Sequence, residues 1–328
     1  MTNKQQSQVH TAPSVQFVEI DEADAGQRLD NFLVRKLKGV PKSRIYRIVR
    51  HGEVRINKGR VKPDYRLKDG DIVRIPPIRT ASRQAPPLAR NLEWLEERVL
   101  YEDDVILAID KPSGIAVHGG SGINLGLIEA LRQLRPNSRF LELVHRLDRE
   151  TSGVLLIAKK RSSLKDLHTQ LREGKTKKIY TALLAGTWHG KARRIDAPLE
   201  KNQLRSGERM VRVAEDGKVA ASRFIPSKNY QNIASYPEGA ALVEINLLTG
   251  RTHQARVHAA HIGQPIAGDG KYGDARFNDA MKAFGLKRLF LHASSITFTH
   301  PVQACKMCVE SPLAEDLQQV LEKLDLGA

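Results

Sequence analysis

The residues best suited to chemistry lie in LELVHRLDRETSGVLLIAKK, residues 141 to 160, where Asp148 stands between Arg146 and Arg149 and just ahead of an apolar run. A carboxylate held among guanidiniums stays ionised and oriented, and it can act as nucleophile or base without a metal, histidine or cysteine. The same pattern also describes a purely structural Arg–Asp pair. LELV and VLLIA read as buried strands, so HRLDRETSG becomes the loop between them, and strand-anchored loops commonly display reactive groups. Thr151, Ser152 and Gly153 can turn the chain there and offer hydrogen bonds to a nearby carboxylate. A second basic segment, LLTGRTHQARVH, has Gly250 as a turn before a helix carrying Arg251 and Arg256. If Arg256 meets Asp148 in space, the carboxylate is held in one orientation.

Other constellations are incomplete. Cys305 and Cys308 form a CxxC with no second pair and read as part of a strand. His253, His258 and His261 cluster without Asp, Glu or Cys nearby in the sequence, so no metal site is expected. KPSGIAVHGGSG is rich in glycine but lacks the order of residues that cradles a triphosphate. No GxSxG elbow is present.

The elements that position these residues fall into two parts. The chain has 328 residues, 53 basic and 37 acidic, with a net charge of +16. Such an excess favours a polyanion, and nucleic acid suits it better than a membrane, since no anchor helix and no spanning apolar run are evident. Residues 1–16 read as a disordered tail without the pattern of a signal peptide. With two cysteines and no export signal, the expected location is the cytoplasm.

Residues 17–79 read as a small α/β domain, and residues 28–79 alone carry 16 basic against 5 acidic side chains. Leu29, Phe32, Leu33 and Leu37 recur at helical spacing, and Pro41 is placed to open a second helix. That helix carries Ile45, Ile48 and Val49 on one stripe, with Arg44, Arg47 and Arg50 outside it and Gly52 as its stop. Short strands follow around turns at Asn57-Lys58-Gly59 and Asp69-Gly70. The basic helix is either a solvated face or a nucleic-acid contact, and the equally basic strands beside it favour contact. Residues 80–98 have linker composition, with a short helix expected at the end. Residues 99–324 read as an α+β domain with a large mixed, mainly antiparallel sheet, with helices expected over 123–135, 162–172, 252–262 and 274–284.

The front block, GQRLDNFL followed by PKSRIYRIVRHGEVRINKGRVKPDYRLKDGDIVRI, resembles the alpha-L RNA-binding module shared with the fourth small-subunit ribosomal protein. HRLDRETSGVLL is similar to the central motif of the RluA-type pseudouridine synthases. IDKPSGIAVH, KIYTALLAG, LLTGRTHQARVH, and IGQPIAGDGKYG with RLFLHA match the same family in the same order. The resemblance implies isomerisation of uridine to pseudouridine in 23S ribosomal RNA, with base flipping, no cofactor, no metal, no membrane and no obligate protein partner, as a monomer. It assigns Asp148 as the catalytic aspartate. Tyr180 becomes the tyrosine that stacks on the target base and is a candidate acceptor of its C5 proton. Arg256 becomes the arginine that pairs with the aspartate, and Arg146 the one that fills the space of the flipped nucleotide. Asp110 and Ala255 depart from the family pattern outside those positions.

One carboxylate is enough for this reaction. Glycosidases use two because water must be activated or a leaving group protonated. Here the uracil ring leaves with negative charge and returns through C5, and no water enters. Asp148 then acts on the ribose, as nucleophile or as base at the 2′ position. A noncatalytic RNA-binding or assembly protein would share the charge, the front module and the linker, and would differ only in having no use for Asp148, Tyr180 and Arg256 together.

Overall fold

The computed structural model describes residues 14–21, 24–37, 39–78, 92–119, 125–203, 209–231, 233 and 235–327. Residues 1–13 of the expected tail over 1–16 and most of the expected linker over 80–98 fall outside them, while Gln16 already belongs to the first strand. The chain divides into two compact units, Met1–Leu88 and Ala89–Ala328.

In the first unit, β1 (Gln16–Glu19), α1 (Leu29–Lys36), α2 (Lys42–Arg50), β2 (Arg55–Ile56), β3 (Gly59–Arg60) and β4 (Ile72–Ile75) build a sheet of order β1-β4-β2-β3 with two helices. The apolar spacing places Leu29, Phe32 and Leu33 of α1, and Ile45, Ile48 and Val49 of α2, in one core with Ile56 and Val73. Pro41 stands at the N-cap of α2, and Gly52 follows its end at φ +73°. Asn57 and Lys58, both at positive φ, make the two-residue turn between β2 and β3, the twist-compatible geometry for a tight hairpin. Asp71 fastens that turn by accepting from Asn57 Nδ2 at 2.8 Å and from Tyr65 Oη at 3.1 Å.

The second unit opens with a 3-10 helix, Glu93–Arg98, whose Leu95 is buried in the main core. The end of the expected linker is therefore packed structure. There follow β5 (Val99–Glu102), β6 (Ile106–Lys111), α3 (Leu127–Leu134), β7 (Glu142–Leu143), β8 (Ser152–Ala158), α4 (Arg161–Arg172), β9 (Lys177–Ala185), β10 (Arg193–Asp196), β11 (Leu199–Gln203), β12 (Arg209–Val213), β13 (Ala221–Tyr230), β14 (Ala240–Leu247), α5 (Gln254–His261), α6 (Ala275–Ala283), β15 (Leu291–Thr299), β16 (Lys306–Glu310) and α7 (Glu315–Gly327).

Ten of these strands form one sheet, ordered β10-β13-β14-β9-β15-β8-β6-β5, with β16 beside β15 and β7 beside β8. Its pairs are antiparallel except β8 with β15, which bears out a mixed, mainly antiparallel α+β architecture. Strand β8 is buried along its whole length. Leu155 and Ile157 face one apolar core, while Val154, Leu156 and Ala158 face another, as the two-residue period of a central strand requires. Gly153 lies at the parallel junction at φ +107°, and a Cβ there would sit 2.2 Å from the carbonyl oxygen of Ala293. Only glycine allows β8 and β15 to approach so closely, and the Asp148 loop leads directly into this point.

Candidate active site

Three neighbouring parts of the sheet deliver the site. The loop 145–151 enters β8, Tyr180 stands on β9, and β14 runs through Leu248, Thr249 and Gly250 into α5, which carries Arg256. These residues line one cleft of about 850 Å³, with Arg146, Arg172, Lys178 and Arg251 along the same walls. That volume suits a small ligand or one extruded residue of a polymer.

The Asp148 side chain is 27% exposed. One oxygen lies 3.8 Å from His253 Nε2 and the other 3.6 Å from Arg256 Nη1. Among the described residues the carboxylate accepts no closer hydrogen bond, so it is held electrostatically while both oxygens remain available. Ser152, expected as a donor near the carboxylate, instead bonds His292 Nδ1 at 2.9 Å and receives Arg288 Nη1 at 3.2 Å. It is the first residue of β8, and its side chain belongs to the strand junction. Thr151 contributes its backbone N–H to the Asp148 carbonyl at 3.2 Å.

Arg256 is almost fully buried, and its tighter partner is Asp269. Its Nε and Nη2 each donate to an Asp269 oxygen at 2.7 Å. Asp269 also accepts from the backbone N–H groups of Lys271 at 2.9 Å and Tyr272 at 3.0 Å. Burial alone would lower the guanidinium pKa, but the hydrogen bonds and charge of Asp269, with Asp148 adding to them, hold it above the ordinary arginine value. Burial likewise would raise Asp269, and Arg256 outweighs it, so its carboxyl lies below the usual range. A buried, bidentate arginine of this kind is a fixed positive charge, and Asp148 meets its remaining nitrogen.

His253 is the second flank. It takes a left-handed conformation, φ 53°, at the N-cap of α5, and its Nδ1 lies 2.8 Å from Tyr272 Oη. The Tyr272 oxygen already accepts the backbone N–H of Val211 on β12 at 3.0 Å. Its own proton is then free for Nδ1, which places the other imidazole proton on Nε2, facing Asp148. Burial pushes His253 below the ordinary histidine range even though Asp148 opposes this. Asp269, Tyr272 and His253 were not expected as site residues. The segment IGQPIAGDGKYG carries the resemblance without a role for Asp269 or Tyr272, and the histidine reads as one of a cluster.

Beneath the loop, Lys111 is fully buried and donates to three carbonyl oxygens, Pro112 at 2.8 Å, Ile115 at 2.9 Å and Arg149 at 3.1 Å. Burial brings it down to about 7, against the pull of Asp148. Ser113 Oγ donates to Glu150 O at 2.7 Å, and Arg149 Nε to Gly114 O at 2.9 Å. The KPSG segment therefore clamps the Asp148 loop, and Arg149 serves the clamp. Arg146 is exposed, and its side chain makes no hydrogen bond or ion pair among the described residues. The two arginines that flank Asp148 in sequence thus have different surroundings.

Tyr180 is 8% exposed, and burial followed by the charge of Asp148 pushes its phenol well above its ordinary value. At neutral pH it is a neutral ring, which suits a stacking face better than a proton acceptor. Arg251 is exposed, with Nε donating to Val219 O at 3.0 Å. Gln254 fixes its turn by accepting from Thr249 Oγ1 at 2.6 Å and from the Arg251 N–H at 3.0 Å. On the first unit Arg44, Arg47 and Arg50 are all exposed on α2. Asp110 pairs with Arg98 at 3.0 Å and receives Ser311 Oγ at 2.9 Å, and Ala255 is buried in the core. Cys305 and Cys308 are free and exposed. Among the described residues no group of His, Cys, Asp and Glu is placed to hold a metal, and no helix is long and apolar enough to cross a membrane.

The cleft thus holds a partly exposed carboxylate between a fixed arginine and an imidazole, with further basic side chains along its walls. Residues 105–261 match the family model described as RNA pseudouridylate synthase, and residues 27–73 match the S4 domain. The chain is 55% identical over 314 residues to the ribosomal large subunit pseudouridine synthase C of Haemophilus ducreyi, covering 95% of this chain and 96% of that one. It is 53% identical over 317 residues to the enzyme of the same name from Escherichia coli strain K12, covering 95% and 97%. The solved structure of human RNA pseudouridylate synthase domain containing 4 is similar at 25% identity and a TM-score of 0.57, covering 74% of this chain and 97% of that one. The chain belongs to the RNA pseudouridylate synthase family, enzymes that isomerise uridine to pseudouridine in RNA, and it carries an RNA-binding S4 domain in front of the synthase domain.

Proposed function

We propose that this enzyme isomerises uridines of 23S ribosomal RNA in the cytoplasm, with Asp148 as its single reacting carboxylate. The observation that carries the reading is the Asp148 carboxylate itself, partly open to the cleft and flanked at 3.6 Å by Arg256 and at 3.8 Å by His253 without being consumed by either. The substrate follows the relatives, which are named for the large ribosomal subunit and share more than half of their residues with this chain. The same reading takes the enzyme to act as a monomer without an obligate partner subunit.

The uridine leaves its stack to reach the cleft, at a cost of a few kcal/mol. Tyr180 offers its face to the extruded base, and the unpaired Arg146 occupies the vacated space and meets phosphate. Asp148 acts on the ribose, as nucleophile at C1′ or as base at C2′. The N1–C1′ bond breaks and uracil leaves as an anion. The ring turns, and C5 bonds to C1′ as the carboxylate leaves C1′ or returns its proton to C2′; the C5 proton is then lost to solvent as N1 takes one up. Arg256, locked by Asp269, holds a fixed positive charge beside the carboxylate and keeps it aimed. Arg251 lies on the same cleft wall for the flanking strand, while Arg44, Arg47 and Arg50 hold more distant phosphates.

The test is tritium release from ribosomal RNA labelled at uracil C5. The wild type should release tritium from the large-subunit fraction. Asp148→Asn should release none while binding the RNA with nearly unchanged affinity. Release by Asp148→Asn at the wild-type rate would refute the assignment.

A further inference from the structure

The outer face of the front sheet carries a basic row with no part in the reaction described above. Strand register aligns Phe17 of β1 with Arg74 of β4, Arg74 with Arg55 of β2, and Arg55 with Arg60 of β3. Aligned residues on neighbouring strands project to the same side. The alternate residues, Val18, Val73 and Ile56, pack inward against the core that α2 shares through Ile45, Ile48 and Val49. The row therefore faces away from α2 and is a surface separate from Arg44, Arg47 and Arg50.

Two features distinguish it from an ordinary solvated face. Phe17 is 68% exposed, with Val15 and Ile72 exposed near it, in a chain that has only 17 aromatic side chains. The arginines are also pre-oriented. Arg74 Nη1 donates to Glu53 O at 2.7 Å and Arg55 Nε to Gly52 O at 3.1 Å, while the Arg60 side chain lies so close to Gly52 that a Cβ there would meet its Nε at 2.6 Å. Each guanidinium has five N–H donors, so most stay available, and none of the three makes an ion pair among the described residues. Glu19, opposite Ile72, is the acid in the adjoining row. A second copy of the same face would set arginine against arginine, which charge complementarity disfavours. A polyanion with flat apolar rings meets both features at once.

We propose that Phe17, Arg74, Arg55 and Arg60 form a site for an unpaired stretch of RNA, with one base stacked on Phe17 and the phosphates on the guanidiniums. Strands are spaced about 4.8 Å apart, so the row spans roughly 14 Å. Stacked nucleotides advance about 3.4 Å each, which matches about four of them. The site rests on RNA being the substrate, and it adds that the front unit holds a single-stranded segment separately from the phosphates met by α2.

The experiment uses the full chain, a labelled single-stranded RNA oligomer and an RNA duplex of the same composition. Phe17→Ala should weaken single-strand binding about tenfold with its salt dependence unchanged, and leave duplex binding as it was. Arg60→Gln should lower the single-strand salt slope by about 0.7. Phe17 is exposed, so melting temperature should not move in its variant. Equal single-strand affinity of wild type and Phe17→Ala would overturn the site, as would self-association that Phe17→Ala abolishes. If the wild type bound neither RNA, the RNA reading itself would fall, and the two failures are thereby distinguished.

Discussion

Helix α2 and the Asp148 loop are both basic, and they use charge in opposite ways. Arg44, Arg47 and Arg50 are exposed on the helix face that its apolar stripe leaves free, and among the described residues no carboxylate pairs with them. Arg256 is buried against Asp269, and Asp148 has a histidine and an arginine on its two sides. Exposed, mobile charge attracts a polyanion and is screened by salt. Charge locked by partners in a desolvated cleft keeps one protonation state and one direction. On the proposed reading the first arrangement supplies affinity and the second chemistry, and each should fail in its own way.

The largest effect that would sharpen this contrast is at Asp269. Asp269→Asn leaves Arg256 buried without its ion pair, at a cost of about 3 kcal/mol or more in stability. Tritium release by the remaining folded protein should also fall. A denaturant titration unchanged from wild type would break the account of Arg256 as a locked charge. Next comes the triple change of Arg44, Arg47 and Arg50 to Gln. It should lower the salt slope of RNA binding by about 2, while release at saturating RNA stays at the wild-type rate. A slowed reaction at saturation would blur the division between the two regions.

A smaller effect belongs to Tyr272. Tyr272→Phe removes the acceptor of the Val211 N–H and the partner of His253 Nδ1, costing about 1 kcal/mol of stability, and it frees the imidazole to turn from Asp148. Single-turnover release should slow while RNA affinity is unchanged, and an unaltered rate would remove His253 from the site. A further effect is a pH slope. Lys111 falls to about 7 in the fold against an ordinary 10.5. Between those values the unfolded chain binds more protons, so the stability contribution of Lys111 rises with pH from about 7 toward 10. Melting curves across that window should show the rise in wild type and a flatter profile in Lys111→Met, and parallel profiles would contradict it.

Much of this contrast is legible in the sequence, because its signals are local. The apolar stripe of α2, the Asn57-Lys58 turn and the unbroken run of β8 each follow from neighbouring residues. So does the display of Asp148 on a strand-flanked loop. The meeting of Arg256 with Asp148 is anticipated as a condition and found at 3.6 Å. What lies beyond local signals is who holds the holders. Asp269 is an acid in a glycine-rich turn until the fold brings it under Arg256. Tyr272 gives no hint that its hydroxyl joins β12 to His253.

Strands β10 to β13 are absent from the expectations because they are short or irregular. β13 contains Pro226 and shifts register between Pro226 and Lys228, which disrupts the alternation that marks a strand. Helix α7, over Glu315–Gly327, lies beyond the last recognised strand and buries only one face, through Leu317, Val320 and Leu324. Ser152 shows the converse. Its type suits a bond to the carboxylate, and its place at the start of β8 turns it to His292 instead.

The most direct test of the central claim compares Asp148→Asn with the α2 triple variant in one pair of assays. RNA affinity and single-turnover tritium release, measured at RNA concentrations that saturate each variant, separate holding from reacting. Asp148→Asn should bind as the wild type does and release no tritium, and the triple variant should bind more weakly and react at the wild-type rate. Release by Asp148→Asn, or loss of its RNA binding in step with its activity, would contradict the account.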